Sequence, residues 1–367
     1  MFGSILLFVT TVMHGYVFWR LYTIPFVKNH VPRYLLIGSC IALWAIFLTS
    51  RMIGHGGTGT LPAVLDQLGI TWMAILFLIS VPLVATDIIT GFGFVFSRFA
   101  PMLRGCALVM GCVLCMVAFV QGHRAPVIQY YEVQLSGLPS QMDGKTLVAM
   151  SDMHLGTLLG KAWLEKRVAQ VQTLRPDMVV LLGDVFEGHG KPQPELLKIL
   201  NRISAPLGVW AVAGNHEFHS GAGETMDMVQ KSGLHVLHNR WTEVHHGLLL
   251  AGVDDLTAWQ RDGRKEDPMQ KALGAKPVGA TILLSHTPWK AEEAARLGAG
   301  LMLSGHTHSG QIWPFGYLVG WRYPLLEGLY DVNGMKVIVC RGTGTWGTRM
   351  RLWHPSEILQ IKLRSGK

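Results

Sequence analysis

Five short polar clusters in the second half of the chain carry residues that bind metal ions well. They are Asp152-Met153-His154, Gly183-Asp184, Gly214-Asn215-His216-Glu217, Ser285-His286 and Gly305-His306-Thr307-His308. Their imidazole nitrogens and carboxylate or amide oxygens suit Mn, Fe, Zn or Co better than Cu(I) or an iron–sulfur cluster. Two such ions held roughly 3.5 to 4 Å apart can activate water and stabilise both oxygens of a displacement at phosphorus. The clusters therefore predict a two-metal site for phosphoester hydrolysis.

Each cluster follows an apolar run with the composition of a buried strand. We predict strands over 146–151, 178–182, 209–213, 248–253, 281–284, 301–304 and 336–340, and an amphipathic helix over 162–174. Ligands bind beyond the carboxyl ends of strands in open sheets, so five separate segments can meet at one rim. The polar stretch 259–277 is expected to be a loop over this site. The alternation of strands and helices predicts a layered α/β domain.

The first third of the chain has the composition of a membrane region. The whole chain is 49% apolar and 15% charged, and residues 1–125 contain only two acidic side chains, Asp66 and Asp87. Four apolar runs, at 4–22, 34–50, 70–92 and 103–120, fit the roughly 20 residues that a membrane-spanning helix needs. Arg20 lies at the end of the first run and no basic residue precedes that run, so we expect a retained span and not a cleaved signal. We predict a transmembrane region over 1–125, a connector over 126–144 and a soluble domain over 145–367.

The basic residues between these runs predict an orientation, because short cytoplasmic loops are rich in Lys and Arg. One side is flanked by Arg20, Lys28, Arg33, Arg98 and Arg104, and the other by Arg51 and Arg124. We therefore expect a multi-pass protein of the inner or cell membrane whose C-terminal domain is extracytoplasmic. Asp87 lies within the third run, where a carboxylate is costly. We expect it to make an interhelical hydrogen bond, with His14 as the candidate partner.

The five clusters together resemble the signature of the calcineurin-like metallophosphoesterase superfamily, over about residues 145–363. The segments Ser304–Ile312 and Arg341–Thr345 resemble its membrane-associated bacterial branch, except that Ser309 stands where that branch commonly has glycine. The resemblance implies an α/β layered fold in which a β-sandwich is flanked by helices, here preceded by a four-helix transmembrane region. It also implies two divalent ions per chain as cofactors, from among Mn, Zn, Fe and Co.

The resemblance further implies a role for each matching residue. One metal is held by Asp152, His154 and His308, the second by Asn215, His286 and His306, and Asp184 bridges the two. His216 is similar to the catalytic histidine of the family, which donates a hydrogen bond or a proton to the leaving-group or phosphoryl oxygen. Glu217 is expected to orient a ligand or His216. His189 and Arg349 are candidate substrate contacts, with ordinary surface roles as the alternative.

These features predict a membrane-anchored dimetal phosphohydrolase, either a phosphodiesterase or a phosphatase, with a lipid-linked or envelope substrate. An enzyme that hydrolyses UDP-2,3-diacylglucosamine in lipid A synthesis is the alternative within the family, although it would act in the cytoplasm. A non-catalytic membrane scaffold is the alternative of another class, and the complete set of seven ligand candidates disfavours it. We expect no nucleic-acid partner, because much of the net charge of +8 lies in the membrane region and no basic stripe is present. The expected partners are a phosphorylated small molecule or lipid and the bilayer.

Overall fold

The computed structural model describes residues 2–54, 60–187, 192–219, 222–263 and 265–366. The chain separates into two units. The helical unit comprises Met1–His123 and Gly347–Leu352, and the sheet unit comprises Arg124–Trp346 and Trp353–Lys367. This division matches the change in composition along the chain, because apolar helices fill the first unit and mixed strands and helices fill the second.

The helical unit contains five α-helices: α1 Phe2–Tyr22, α2 Pro25–His30, α3 Arg33–Thr49, α4 Thr60–Ile89 and α5 Ala100–His123. Four segments are long and apolar enough to cross a membrane, Gly3–Tyr22, Arg33–Gly54, Thr60–Ile89 and Ala100–His123. The third of these segments begins ten residues before the predicted apolar run 70–92, because its first turns include polar residues such as Asp66. On α5, Gly111 lies against the backbone of Ile79, so a small residue lets α4 and α5 approach closely.

Asp87 is fully buried near the end of α4 and holds two arginines. The Nε of Arg20 donates to its Oδ2 at 2.6 Å, and the Nε of Arg104 donates to its Oδ1 at 3.0 Å. The Tyr16 hydroxyl also donates to Oδ2, at 2.7 Å. This single carboxylate therefore ties α1, α4 and α5 together.

The expected pairing of Asp87 with His14 is wrong. The Nε2 of His14 lies 2.9 Å from the carbonyl oxygen of Cys40, to which it donates, and its Nδ1 accepts from the Trp72 indole at 3.2 Å. The reason is that the arginines in the last turn of α1 and near the start of α5 supply the charge that a buried carboxylate needs, whereas a neutral imidazole does not.

The segment Gly347–Leu352 belongs to the helical unit although it is far away in sequence. The backbone nitrogen of Arg351 donates to the carbonyl of Ala118 on α5 at 2.9 Å. A side chain on Gly122 would collide with the Arg349 carbonyl oxygen, so the glycine permits this close approach. The hydroxyls of Thr348 and Thr71 lie 3.3 Å apart.

In the residues that the structure describes, the sheet unit contains twelve strands in two six-stranded sheets. In chain order they are β1 Val127–Leu135, β2 Thr146–Met150, β3 Met178–Leu181, β4 Val209–Ala211, β5 His235–Val236, β6 Arg240–His245, β7 Leu248–Gly252, β8 Ala280–Leu284, β9 Leu301–Ser304, β10 Gly328–Val332, β11 Met335–Val339 and β12 Glu357–Ser365. The sheet orders are β1-β12-β2-β3-β4-β5 and β10-β11-β9-β8-β7-β6. β2 to β5 run parallel in the first sheet, and β7, β8, β9 and β11 run parallel in the second.

Helices cover the outer faces of both sheets. In its described residues the sheet unit contains the helices α6 Lys161–Thr173, α7 Pro194–Leu200, α8 Asn215–His219, α9 Ala222–Lys231, α10 Leu256–Arg261, α11 Pro268–Leu273, α12 Ala291–Arg296 and α13 Gly316–Arg322. Along β2, Leu147 and Ala149 pack between the sheets, whereas Val148 and Met150 pack outward against Leu164 of α6. Strands buried on both faces explain the uninterrupted apolar runs in the sequence. The predicted fold class, a β-sandwich flanked by helices after four candidate transmembrane helices, is confirmed.

Two segments differ from expectation. The interval 126–144, expected to be a connector, contains β1, which pairs in parallel with β12. No continuous apolar run marks this strand, because only Val133 and Leu135 are buried within it. The stretch 259–277, expected to be a loop, contains the end of α10 and all of α11, where Met269, Ala272 and Leu273 are buried in the core outside the second sheet.

The ion pairs of Asp87 yield a stability prediction for the helical unit. Asp87→Asn leaves two buried guanidinium groups facing each other without a counter-charge, which should destabilise the protein by about 3–5 kcal/mol. The measurement is the thermal unfolding midpoint of the full-length protein in detergent. Arg33→Gln is the control, since Arg33 is exposed and contacts only the Tyr22 ring, at 5.6 Å from its centroid. Equal midpoints for both variants would show that the buried pairs contribute nothing.

Candidate metal centre

Polar residues follow five parallel strands at the edge where the strands of both sheets end. Asp152, Asp184 and Asn215 come after β2, β3 and β4, and His286 and His306 come after β8 and β9. Because the carboxyl ends of neighbouring parallel strands share an edge, segments distant in sequence meet there. The site is thus built from both halves of the sandwich.

The backbone at these strand ends turns sharply to aim the side chains. A positive φ, between 47° and 71°, occurs at Asp152, His154, Asp184, His306 and His308. Non-glycine residues in this region cost on the order of 1–3 kcal/mol each and cluster at functional sites. Glycine is needed beside them, since a side chain on Gly214 would collide with the Asp184 carboxylate and one on Gly305 with Ser151. The Gly-Asn-His and Gly-His-Thr-His patterns therefore have a steric reason.

One group of ligand candidates contains Asp152, His154 and His308, which bring one donor atom each within 4.8 Å of one another. The Nε2 atoms of the two histidines lie 3.1 Å apart, and Nε2 of His308 lies 3.4 Å from Oδ1 of Asp152. All three residues are buried. Two imidazole nitrogens that face each other at this distance alongside a carboxylate form a typical donor set for a cation.

A second group surrounds His286, which lies among the other candidates. Its Nε2 is 3.3 Å from Oδ2 of Asp184, 3.2 Å from Oδ1 of Asn215 and 3.1 Å from Nδ1 of His306. Asp184 also groups with His154 and His216 within 4.8 Å, so it stands between the two sets. The structure thus brings all seven predicted ligands together, and the metal that each would hold stays a prediction.

Burial and close charges shift the pKa values of several ligand candidates at this centre. Burial raises the pKa of Asp184, but the imidazole of His286 outweighs it and holds that pKa well below its usual range. Burial lowers the pKa of His154, but Glu187, 3.2 Å from Nδ1, raises it to about 9. Burial and the neighbouring His286 lower the pKa of His306 to about 3. Ionised carboxylates beside imidazoles that compensate their charge fit two divalent ions, which would replace those protons.

Glu217 is fully buried and holds the backbone of two ligand loops. Its Oε2 accepts from the amides of Asp184 and Gly214 at 3.0 and 2.8 Å, and its Oε1 accepts from that of Phe186 at 3.1 Å. Burial, with Asp184 nearby, raises its pKa to about 7. In this structure, then, the carboxylate positions the loops that carry Asp184 and Asn215.

His216 lies at the edge of the centre, and one of its ring nitrogens is held in a hydrogen bond to the backbone. Its Nδ1 is 2.7 Å from the carbonyl oxygen of Glu187, so that nitrogen donates a proton. Its Nε2 lies 4.0 Å from Oδ2 of Asp184, and its backbone nitrogen donates to Oδ1 of the same carboxylate at 2.9 Å. Unlike His286, its side chain is partly exposed, and its Nε2 faces the Asp184 carboxylate.

Sequence reasoning missed Asp255 and Tyr323. Asp255 groups with His286 and His306 within 4.8 Å. Like the other clusters, Asp255 comes shortly after an apolar strand, here β7. That position was the sequence signal that could have identified it. The Tyr323 hydroxyl lies 2.7 Å from Nε2 of His306, and no spacing or motif in the sequence marks it.

A cavity of about 410 Å³ adjoins the centre. It is lined by Leu256, Trp259, Gln260, Trp289, Lys290 and Arg322. Tyr323 links the cavity to the ligand candidates, because its ring stacks on Trp289 with centroids 5.6 Å apart. The Arg322 guanidinium lies 4.2 Å from the centroid of the same indole.

The two candidate substrate contacts stay predictions. His189 lies outside the described residues. Arg349 lies in Gly347–Leu352, which groups with the helical unit.

Comparison with known proteins is consistent with this geometry. The profile of the family described as calcineurin-like phosphoesterase matches residues 145–310. A transmembrane protein with metallophosphoesterase domain from Danio rerio is 33% identical over 271 residues, 70% of this chain and 62% of that protein. The chain therefore spans less than two thirds of that relative. An uncharacterised metallophosphoesterase from Aquifex aeolicus is 31% identical over 245 residues, 65% of this chain and 91% of that protein. The structure of a dimetal phosphatase from Danio rerio is 13% identical and covers 55% of this chain and 88% of its own, with a TM-score of 0.35.

The three amides on Glu217 yield a test of its positioning role. Glu217→Gln turns one carboxylate oxygen into an NH₂ group that faces a buried amide, which should lower the free energy of unfolding by about 1–3 kcal/mol. Urea unfolding measures this, and metal content after reconstitution should fall as well. Glu266→Gln is the matched control, since Glu266 is exposed and pairs with Lys271 on the surface. Unchanged stability and metal content in Glu217→Gln would contradict the proposal that Glu217 positions the ligand loops.

Proposed function

Because the chain belongs to the calcineurin-like metallophosphoesterase family, we propose that it is a membrane-anchored, metal-dependent hydrolase of a phosphoester. The observation that carries the proposal is the convergence of seven ligand candidates from five strand ends on one buried centre. Asp152, His154 and His308 would hold one divalent ion, while Asn215, His286 and His306 would hold the other. Asp184 would contact both. When bound, the ions supply positive charge to the phosphoryl oxygens and activate water.

His216 is the proposed proton donor. Because its Nδ1 donates to the Glu187 carbonyl, the ring orientation is fixed and Nε2 faces the ligand side. A protonated imidazole can deliver a proton from Nε2 to the leaving oxygen, which otherwise departs as an unstable alkoxide. Glu217 contributes indirectly, by holding the loops on either side of this histidine.

The proposed substrate is a lipid-linked or envelope phosphoester. Four helices able to cross a membrane exceed what one domain needs to stay at a membrane surface, which supports a substrate drawn from the bilayer. The cavity beside the centre, with two indoles and the cations Lys290 and Arg322, would receive the part of the substrate attached to phosphorus. A scaffold function is disfavoured because the centre keeps buried, charged ligand candidates that a mere scaffold does not need.

Activity of the full-length protein tests the proposal. After reconstitution with Mn, Zn, Co or Fe, hydrolysis of a generic aryl phosphodiester or phosphomonoester should be detectable and should be abolished by chelation. His216→Ala should lower kcat by roughly 10²- to 10⁴-fold at unchanged metal content, because only the proton donor is lost. His246→Ala is the control, since this histidine is fully exposed. Equal rates for wild type and His216→Ala would contradict the role of His216.

We propose further that the sheet unit is extracytoplasmic, as the distribution of Lys and Arg favours. A cysteine at the exposed Lys271 should react with a membrane-impermeant maleimide in intact cells. Asn29→Cys, in α2 between the first two candidate spans, should react only after permeabilisation. The opposite labelling pattern would place the sheet unit in the cytoplasm.

A further inference from the structure

The segment that follows the Gly-His-Thr-His cluster is apolar and aromatic although much of it after Ile312 is exposed. Residues 309–326, SGQIWPFGYLVGWRYPLL, contain no acidic side chain and a single basic one, Arg322. This composition contrasts with the rest of the sheet unit, whose surface carries both signs of charge. The contrast indicates that the segment meets something other than bulk water.

The side chains that α13 and the residue before it present are exposed to an unusual degree. Phe315 is 43% exposed, Tyr317 73%, Leu318 55% and Trp321 88%. We call these four residues, with Arg322, the aromatic face. Single exposed apolar residues are ordinary, but four large ones within seven positions mark an interaction surface.

The aromatic face is fixed to the metal centre. At Gly310, which has a φ of 72°, a side chain would collide with the backbone of Gly316, so α13 packs directly on the loop that carries His306 and His308. At the other end of α13, the Tyr323 hydroxyl lies 2.7 Å from Nε2 of His306. The face therefore cannot move far without moving the ligand candidates.

We propose that the aromatic face binds the headgroup region of a lipid bilayer. Tyr and Trp are the residues enriched at membrane–water interfaces, where an apolar ring and a polar edge are both accommodated. Arg322 has no carboxylate partner within ion-pair distance among the described residues and complements lipid phosphates. The absence of acidic side chains from 309–326 removes repulsion from anionic headgroups.

A bilayer is the proposed partner of the aromatic face because the same chain carries four helices able to cross a membrane. Such tethering keeps the sheet unit at a membrane surface, so that even a weak interfacial contact is populated. The proposal does not depend on which phosphoester is cleaved. If it holds, the loop that bears His306 and His308 lies close to lipid phosphates.

Quenching by brominated lipid tests the contact in the full-length protein. Nanodiscs are prepared from phosphatidylcholine and phosphatidylglycerol with ordinary or brominated acyl chains, and tryptophan emission is compared. Trp321→Phe should lose part of the quenching seen in the wild type, because Trp321 would lie within reach of bromine. Trp210→Phe is the matched control, since Trp210 stacks on His235 and donates to the Leu207 carbonyl inside the sheet unit. Tryptophans of the membrane helices contribute equally to all three proteins.

Identical quenching in wild type, Trp321→Phe and Trp210→Phe would overturn the proposal. A second variant, Leu318→Glu, should reduce protection of the peptide 311–322 from hydrogen exchange in nanodiscs while leaving hydrolysis of a soluble aryl phosphate unchanged. If Leu318→Glu instead changes the oligomeric state, measured by light scattering, a second copy of the chain covers the face and the lipid proposal fails. None of these outcomes depends on the catalytic role of His216, which its own variant tests.

Discussion

The burial of two carboxylates, Asp152 and Asp184, at neighbouring strand ends is the constraint on which the sheet unit depends. Ionised carboxylates taken out of water are stable only when positive charge and hydrogen-bond donors surround them. Here His286 and His308 supply part of that charge, and backbone amides of His216 and His306 supply donors. The ligand geometry and the glycines beside it follow from satisfying these two groups, and Glu217 fixes the loops that carry them by accepting from their backbone amides. The strand ends of the sheet unit are therefore arranged around these two carboxylates and the positive groups that they bind.

Seven of the twelve described strands, and the clusters that carry the seven ligand candidates, were predictable from sequence because two local signals coincide. A strand buried on both faces appears as an apolar run, and a ligand loop appears as glycine with Asp, Asn or His directly after it. All seven predicted strands are present within a few residues of their expected ends. The signal is strong because burial and ligand chemistry leave little freedom at those positions.

What sequence did not predict depends on partners far away along the chain. β1 lacks an apolar run because it lies at the edge of its sheet, and its place is set by pairing with β12, whose first residue is 230 positions after Val127. Tyr323 reaches His306 only because α13 packs on the loop between them, and the residue type alone gives no hint of that. The choice of Arg20 and Arg104 over His14 as partners of Asp87 likewise needs the helices to be placed in three dimensions.

The ion pairs of Asp87 involve two of the arginines that predict the orientation of the protein in the membrane. Arg20 and Arg104 count among the basic residues that predict a cytoplasmic side, yet in the folded helical unit both are buried against one carboxylate. These roles are compatible, because Lys and Arg orient helices during insertion and acidic residues contribute little to that choice. The same two guanidiniums can therefore act first as topological signals and later as the links that join α1, α4 and α5. Since two arginines share one carboxylate, the assembled cluster keeps a net positive charge, and such a charge is retained most easily at the end of a span, where lipid phosphates are near.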